Sequence, residues 1–273
     1  MQRLTRLFLS QLAHGNAILV RVQATKGSVP REPGAWMAVF EGSTLATVGG
    51  GRLELDAIAH ARALLLDPSL ARVQHYALGP SLGQCCGGQV TLSFTPVSKD
   101  DIATLADQLR SSTVPVALFG SGHVGAALVQ VLGLLPVDLT WIDSRDQAFP
   151  TDVPSNVHCE HSNPVQGAVA ELAPGTSVLV MSFSHAEDLD IVQACLLRQR
   201  AHGDLPFVGL IGSTTKWATF RHRLEAKGFS EQELAHVTCP IGIPGIHDKR
   251  PEVIAVAVAA QLMQVAGRGS SAQ

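Results

Sequence analysis

The chain has 273 residues, of which 46% are hydrophobic and 16% charged, and a formal net charge of −3. That composition describes a packed globular protein of one large or two ordinary domains and excludes a disordered chain. Balanced charge and the lack of a basic arm give no basis for nucleic-acid binding, and no stretch approaches the ~18 consecutive apolar residues that cross a bilayer.

In chain order, the opening Met1–Ser10 run is too short and too interrupted for a signal peptide. It reads as an amphipathic helix with Leu4, Leu7, Phe8 and Leu12 on one face. Strand-like runs follow at Ala17–Ala24, Trp36–Phe40, Thr44–Val48, Val73–Ala77 and Val90–Thr95. A helix is expected over Arg52–Leu66, with Leu53, Ala57, Ala61 and Leu64 on its buried face and Asp67-Pro68 ending it. The predicted organisation is an N-terminal mixed α+β domain over residues 1–98, a linking helix within 99–112, a Rossmann-like domain with a mainly parallel sheet over 113–267, and a frayed tail over 268–273.

In the second half the rhythm is strand, small-residue turn, helix. Val114–Phe119 is a continuous apolar run, as in a strand buried on both faces. It leads into Gly120-Ser121-Gly122-His123-Val124-Gly125 and then a helix over Ala126–Leu134. Leu139–Ile142, Val178–Met181 and Phe207–Ile211 repeat the strand pattern. The alternation predicts a parallel sheet with helices on both faces, hence an α/β fold.

Several turns carry residues suited to ligand chemistry. Gly120, Gly122 and Gly125 form a GxGxxG turn in the right context, and Asp143, at the end of the next strand, is placed to take ribose hydroxyls. His123 lies inside that turn, facing either a ligand or solvent. Gly212, Ser213 and Lys216 suit an anion, with simple helix capping by Ser213 as the alternative. Gly49, Gly50 and Gly51 precede a helix whose first turn holds Glu54, and suit either an anion or a tight loop. Gln84-Cys85-Cys86-Gly87-Gly88 puts two thiols in a glycine turn, where they act as soft-ligand groups or as inert fillers.

Cys159 and Cys195 are read as structural. The loop Cys239-Pro240-Ile241-Gly242-Ile243-Pro244-Gly245 either closes over a ligand or packs. Five cysteines without a CxxC argue against a disulfide framework and a structural zinc site, and lead us to expect a cytoplasmic protein. The sequence has no GxSxG elbow and no GxxxxGK[ST] loop, so binding is favoured over hydrolysis.

Taken together, the chain resembles the XdhC/CoxI family of xanthine dehydrogenase accessory proteins. The resemblance is carried by residues 26–35, 48–54 and 82–88 of the first half, and by Gly120–Gly125, Gly209–Ser213 with Lys216, and Cys239–Gly242 of the second. It implies a non-enzymatic chaperone that binds the molybdopterin form of the molybdenum cofactor, protects it during sulfuration and delivers it to apo xanthine dehydrogenase. A cysteine desulfurase is the second implied partner, and a homo-oligomer such as a dimer is expected. Cys86, nearer the glycine pair, is the expected neighbour of molybdenum, with Cys85 the alternative. Family members often carry Thr-His or His-Ser-His where this chain reads Ser182-Phe183-Ser184-His185, so only His185 carries over from that loop. The competing reading is an NAD(P)-dependent oxidoreductase built on the GxGxxG turn.

Overall fold

A computed structural model describes residues 2–79, 87–109 and 113–270. The chain divides into two compact units, Met1–Ser111 and Ser112–Gln273.

The first unit is a five-stranded antiparallel sheet of order β3-β2-β1-β5-β4, built from β1 (Ala17–Lys26), β2 (Trp36–Val39), β3 (Thr44–Ala46), β4 (Val73–Ala77) and β5 (Gln89–Val97). Successive side chains of β1 point to opposite faces, and both faces are covered. Ile18, Val20 and Val22 pack with Leu53, Ala57, Ala61 and Leu64 of α2 (Gly51–Leu66). Those four positions are the face predicted from the spacing. Ala17 and Leu19 pack on the other side with Phe8 and Leu12 of α1 (Gln2–Leu12) and with Leu105 of α3 (Ile102–Gln108). In α1 only part of the expected apolar face is used. Thr5, Phe8 and Leu12 are buried, whereas Leu4 and Leu7 remain exposed. The chain reaches α3 through a 3-10 turn, Lys99–Asp101, capped by Ser98. Because α3 contributes Leu105 to this second face, the expected linking segment is also part of the first unit's core.

The second unit is a six-stranded, wholly parallel sheet of order β11-β10-β9-β6-β7-β8. Its strands are β6 (Val114–Phe119), β7 (Val137–Asp143), β8 (Val157–His161), β9 (Ser177–Val180), β10 (Val208–Leu210) and β11 (Val237–Thr238). The order reverses between β6 and β9, which is the Rossmann-type switch point at which ligands of such sheets bind. Ala117, Phe119, Val178 and Val180 face α5 (His185–His202) and α6 (Thr214–Glu225). Val116, Leu118 and Leu179 face α4 (His123–Leu132) and α8 (Pro251–Ser270). A short helix, α7 (Glu231–Leu234), completes the set. Among the described residues no helix is long and apolar enough to cross a membrane.

Candidate functional site

In the first unit, glycines fix the geometry where strands end. Gly49, Gly50 and Gly51 have φ of 140°, 72° and 61°, a succession that other residues resist. The turn they make is occupied from within. The Glu54 carboxylate accepts from the Val48 amide (3.1 Å), the Gly50 amide (3.2 Å) and the Thr47 hydroxyl, while Thr47 Oγ1 accepts from the Gly49 amide (3.1 Å). The anion in this turn is therefore the chain's own Glu54, where the alternatives expected were an external anion or a tight loop.

What the glycines do provide is close approach. A β-carbon at Gly49 would lie 2.5 Å from Pro30 Cγ, and one at Gly88 would lie 2.4 Å from the Ser28 carbonyl oxygen and 2.6 Å from that of Lys26. Segment 26–31 is thus packed between the Gly49 turn and Gly88, and three separate stretches of sequence meet at one end of the sheet. Lys26, Ser28, Arg31 and Gly87 are exposed there. Gln84, Cys85 and Cys86, which precede Gly87 in sequence, lie outside the described residues.

In the second unit the GxGxxG turn is tightly drawn. Gly120 has φ 111°, and a β-carbon on it would lie 2.0 Å from the Met181 carbonyl oxygen. A β-carbon at Gly125 would lie 2.2 Å from the Gly120 oxygen, which also accepts from Trp141 Nε1 at 2.9 Å. Gly122 is the N-cap of α4 and His123 its exposed first residue.

Asp143, only 2% exposed, ends β7 beneath this turn. Its Oδ2 accepts from the Ser121 amide (2.8 Å), Ser121 Oγ (2.8 Å) and Arg145 Nη2 (2.9 Å). Its Oδ1 accepts from the Arg145 amide and Nε, both at 2.9 Å. Both oxygens are engaged inside the protein, so the expected role of Asp143 as a ribose acceptor needs correction. Ser121 and Arg145, neither of them predicted as a site residue, fill that place. The Arg145 guanidinium also lies 5.0 Å from the ring centre of Phe183, which is 68% exposed.

Burial pushes the Asp143 carboxyl upward, but the hydrogen bonds from Arg145 and Ser121 outweigh it and hold the group well below the usual carboxylate range. A depressed native value stabilises the fold above the unfolded value of about 3.9 and stops doing so as pH falls through the native one. We expect the second unit to lose on the order of 2 kcal/mol between about pH 5 and acid extremes through this group. Comparing urea midpoints of wild type and Asp143→Asn across that range checks it, and an unchanged pH slope in the variant would contradict it.

A second buried pair joins the turns after β9 and β10. Asp188 Oδ1 accepts from the Ser182 amide (2.8 Å) and Ser182 Oγ (2.7 Å), and Oδ2 accepts from Lys216 Nζ at 2.6 Å. Lys216 Nζ donates in addition to the Ile211 carbonyl at 2.8 Å. Lys216 was expected to meet an external anion, but its charge is matched internally by Asp188. Ser213 caps α6 by accepting from the Lys216 amide at 3.1 Å, which is the capping alternative. A β-carbon on Gly212 would lie 2.7 Å from Lys216 Cδ. His185 is the exposed first residue of α5, with its ring edge-on to Phe220 at 6.4 Å.

The remaining cysteines are packed. Burial pushes the Cys195 thiol up to about 12, and burial also raises Cys239, to about 11. The Cys239–Gly245 loop is tied to α8 by Gly242 N to Gln261 Oε1 (2.7 Å) and Ile243 N to the Ala257 carbonyl (3.3 Å). Among the described residues no three His, Cys, Asp or Glu side chains gather as a metal ion would require.

Residues 116–262 match the family model of the XdhC Rossmann domain, which spans β6 to α8 and more than half the chain. The chain belongs to the XdhC family. Residues 11–77 match the model of the XdhC and CoxI family. Among curated relatives, the uncharacterized protein YqeB of Escherichia coli (strain K12) is 25% identical over 255 residues, covering 90% of this chain and 43% of YqeB. The chain thus spans less than half the length of that relative. A Bacillus halodurans crystal structure described as a xanthine dehydrogenase superposes with a TM-score of 0.78 over 97% of this chain and 96% of that one. At 18% identity this is a likeness of fold. The XdhC match and the parallel sheet agree with the family and fold class read from the sequence.

Proposed function

We propose that this chain is a maturation factor for a xanthine-dehydrogenase-type enzyme, carrying the molybdopterin form of the molybdenum cofactor as cargo. The observation that carries the reading is the convergence of segments 26–31, 47–54 and 87–88 at one end of the antiparallel sheet. Membership of the XdhC family supports the maturation role, and the class of cargo is what the resemblance to accessory proteins of that family implies.

The residues present fit such a molecule. Gly88 and Gly49 are cradled so closely that a β-carbon would collide with segment 26–31, and exposed Gly87 leaves backbone open to a ligand. Lys26 and Arg31 are exposed, and their side chains form no ion pair among the described residues. They suit the cofactor's phosphate as charge-assisted donors. The adjoining Cys86, or alternatively Cys85, supplies a thiol suited to a soft metal–sulfur centre. In this reading the chain binds and shields the cofactor in the cytoplasm while a cysteine desulfurase provides sulfur. It then passes the cofactor to apo dehydrogenase, performing no catalysis itself, and it acts as a homo-oligomer. The second-unit residues Gly120, Gly122, His123, Gly125, His185, Gly212 and Ser213 form a further ligand edge.

Loading tests the proposal. Incubation with molybdenum cofactor followed by desalting should leave pterin fluorescence and near-stoichiometric molybdenum on the protein. Cys86→Ala should lower retention roughly tenfold while preserving the circular dichroism spectrum. Full retention in that variant removes the thiol from the site. Tight NAD(P) binding together with no cofactor retention replaces the carrier by an oxidoreductase.

A further inference from the structure

A cleft of about 390 Å³ opens between the start of α5 and one side of α6, from its first turn to its last, lined by His185, Thr215, Lys216, Thr219, Phe220 and Arg223 together with Ser213. Its size is at the small end of ligand pockets. Thr215, Thr219 and Arg223 recur every fourth residue, so they form one stripe along α6. His185 enters from α5, its ring edge-on to the buried Phe220 at the base.

The charge in this cleft is uncompensated. No carboxylate lines it, and the internal bond from Lys216 to Asp188 already neutralises that lysine. Two residues before Arg223, Arg221 faces Glu225 at 3.6 Å and Glu231 at 3.3 Å. Arg223 itself is exposed and forms no ion pair among the described residues. One arginine of this helix is thus paired with acids, while the other shares the lining of the cleft with hydroxyls and an imidazole.

We infer that this cleft binds a phosphate group, either free or on a small phosphate ester. The Arg223 guanidinium acts as the charged donor, with the Thr215 hydroxyl and the His185 imidazole as further hydrogen-bond partners. The site shares His185 and Ser213 with the second-unit ligand edge proposed above, but Arg223, Thr215 and Thr219 have no part in the cofactor reading, and the site needs no pterin.

Isothermal titration of the full-length protein with sodium phosphate and with ribose 5-phosphate tests it, with sodium chloride at matched ionic strength as the blank. Saturable binding of phosphate is expected. Arg223→Ala should weaken it roughly 10- to 100-fold, and Arg221→Ala should leave it unchanged. If Arg223→Ala misfolds by circular dichroism, Arg223→Gln takes its place, with the same loss expected. Tighter binding of ribose 5-phosphate than of phosphate supports an ester, and equal binding supports the free ion. Absence of binding by both probes overturns the inference. So does an unchanged affinity in the Arg223 variant, or equal weakening by Arg221→Ala, which would reduce the effect to general surface charge. None of these three failures bears on pterin and molybdenum retention, so each is distinguishable from failure of the carrier reading.

Discussion

Replacing Gly120 by alanine should unfold the second unit or cost it at least about 4 kcal/mol, a loss on the scale of the most damaging single substitutions. The added carbon would sit 2.0 Å from the Met181 carbonyl oxygen and 2.8 Å from Ser182 Cα. Both are backbone atoms at the carboxyl edge of the sheet, and they cannot step aside without parting β6 from β9. The φ of 111° adds strain that any L side chain would bear. Gly122→Ala, two residues on, is the control. It has no heavy atom within 4 Å of the added carbon and an extended N-cap backbone with φ −69°, so it should cost no more than about 1 kcal/mol. Thermal or urea unfolding of both variants decides the matter, and equal stability of the two would mean that the turn is not drawn as tightly as described.

The second large effect is expected at Asp188. Both its oxygens are engaged, and the lysine it neutralises is itself nearly buried, at 10% exposure against 3% for the carboxylate. Asp188→Ala would leave the Lys216 ammonium with the Ile211 carbonyl and the face of the Phe220 ring, and with no anionic partner among the described residues. Removing one partner of a buried pair costs about 3–5 kcal/mol, because the other charge is left without compensation. For a unit of this size that corresponds to a melting temperature lower by roughly 10 °C. Asp188→Ala combined with Lys216→Met should recover much of the loss, since the stranded charge is gone. A double variant as unstable as the sum of the singles would show that the two residues act separately.

How far the sequence foretold this depends on how local the determining contact is. The buried face of α2 was legible because Leu53, Ala57, Ala61 and Leu64 recur at helical spacing within one element. The strands flanking the switch point were legible because Val114–Phe119 and Val178–Met181 are apolar throughout, as strands covered on both faces must be. Strand β8 escaped because an edge strand reading Val-His-Cys-Glu-His has no such run, and β11 because two residues carry no periodicity.

At the site, the glycines of Gly120–Gly125 announced a close approach, but not what was approaching. Asp143 was visible as an acid at the right distance, yet its partners Ser121 and Arg145 are settled by folding. Ser121 lies 22 residues away in sequence, and no spacing rule links the two. Lys216 was in the same position, because its acid lies 28 residues upstream. Glu54 is the instructive case. It was noticed as a favourable charge at a helix start, and the fold makes it the anion that the glycine turn holds. Arg223 gave no sequence signal beyond its four-residue spacing from Thr219 and Thr215.

Delivery is the measurement that bears most directly on the carrier reading. The protein loaded with molybdenum cofactor is mixed with apo xanthine dehydrogenase, in parallel with the same amount of free cofactor, under air. The carrier reading predicts that the dehydrogenase gains molybdenum and activity from the loaded protein while the free cofactor decays before insertion. Transfer no better than from free cofactor, or a protein that never takes up the cofactor, would contradict it.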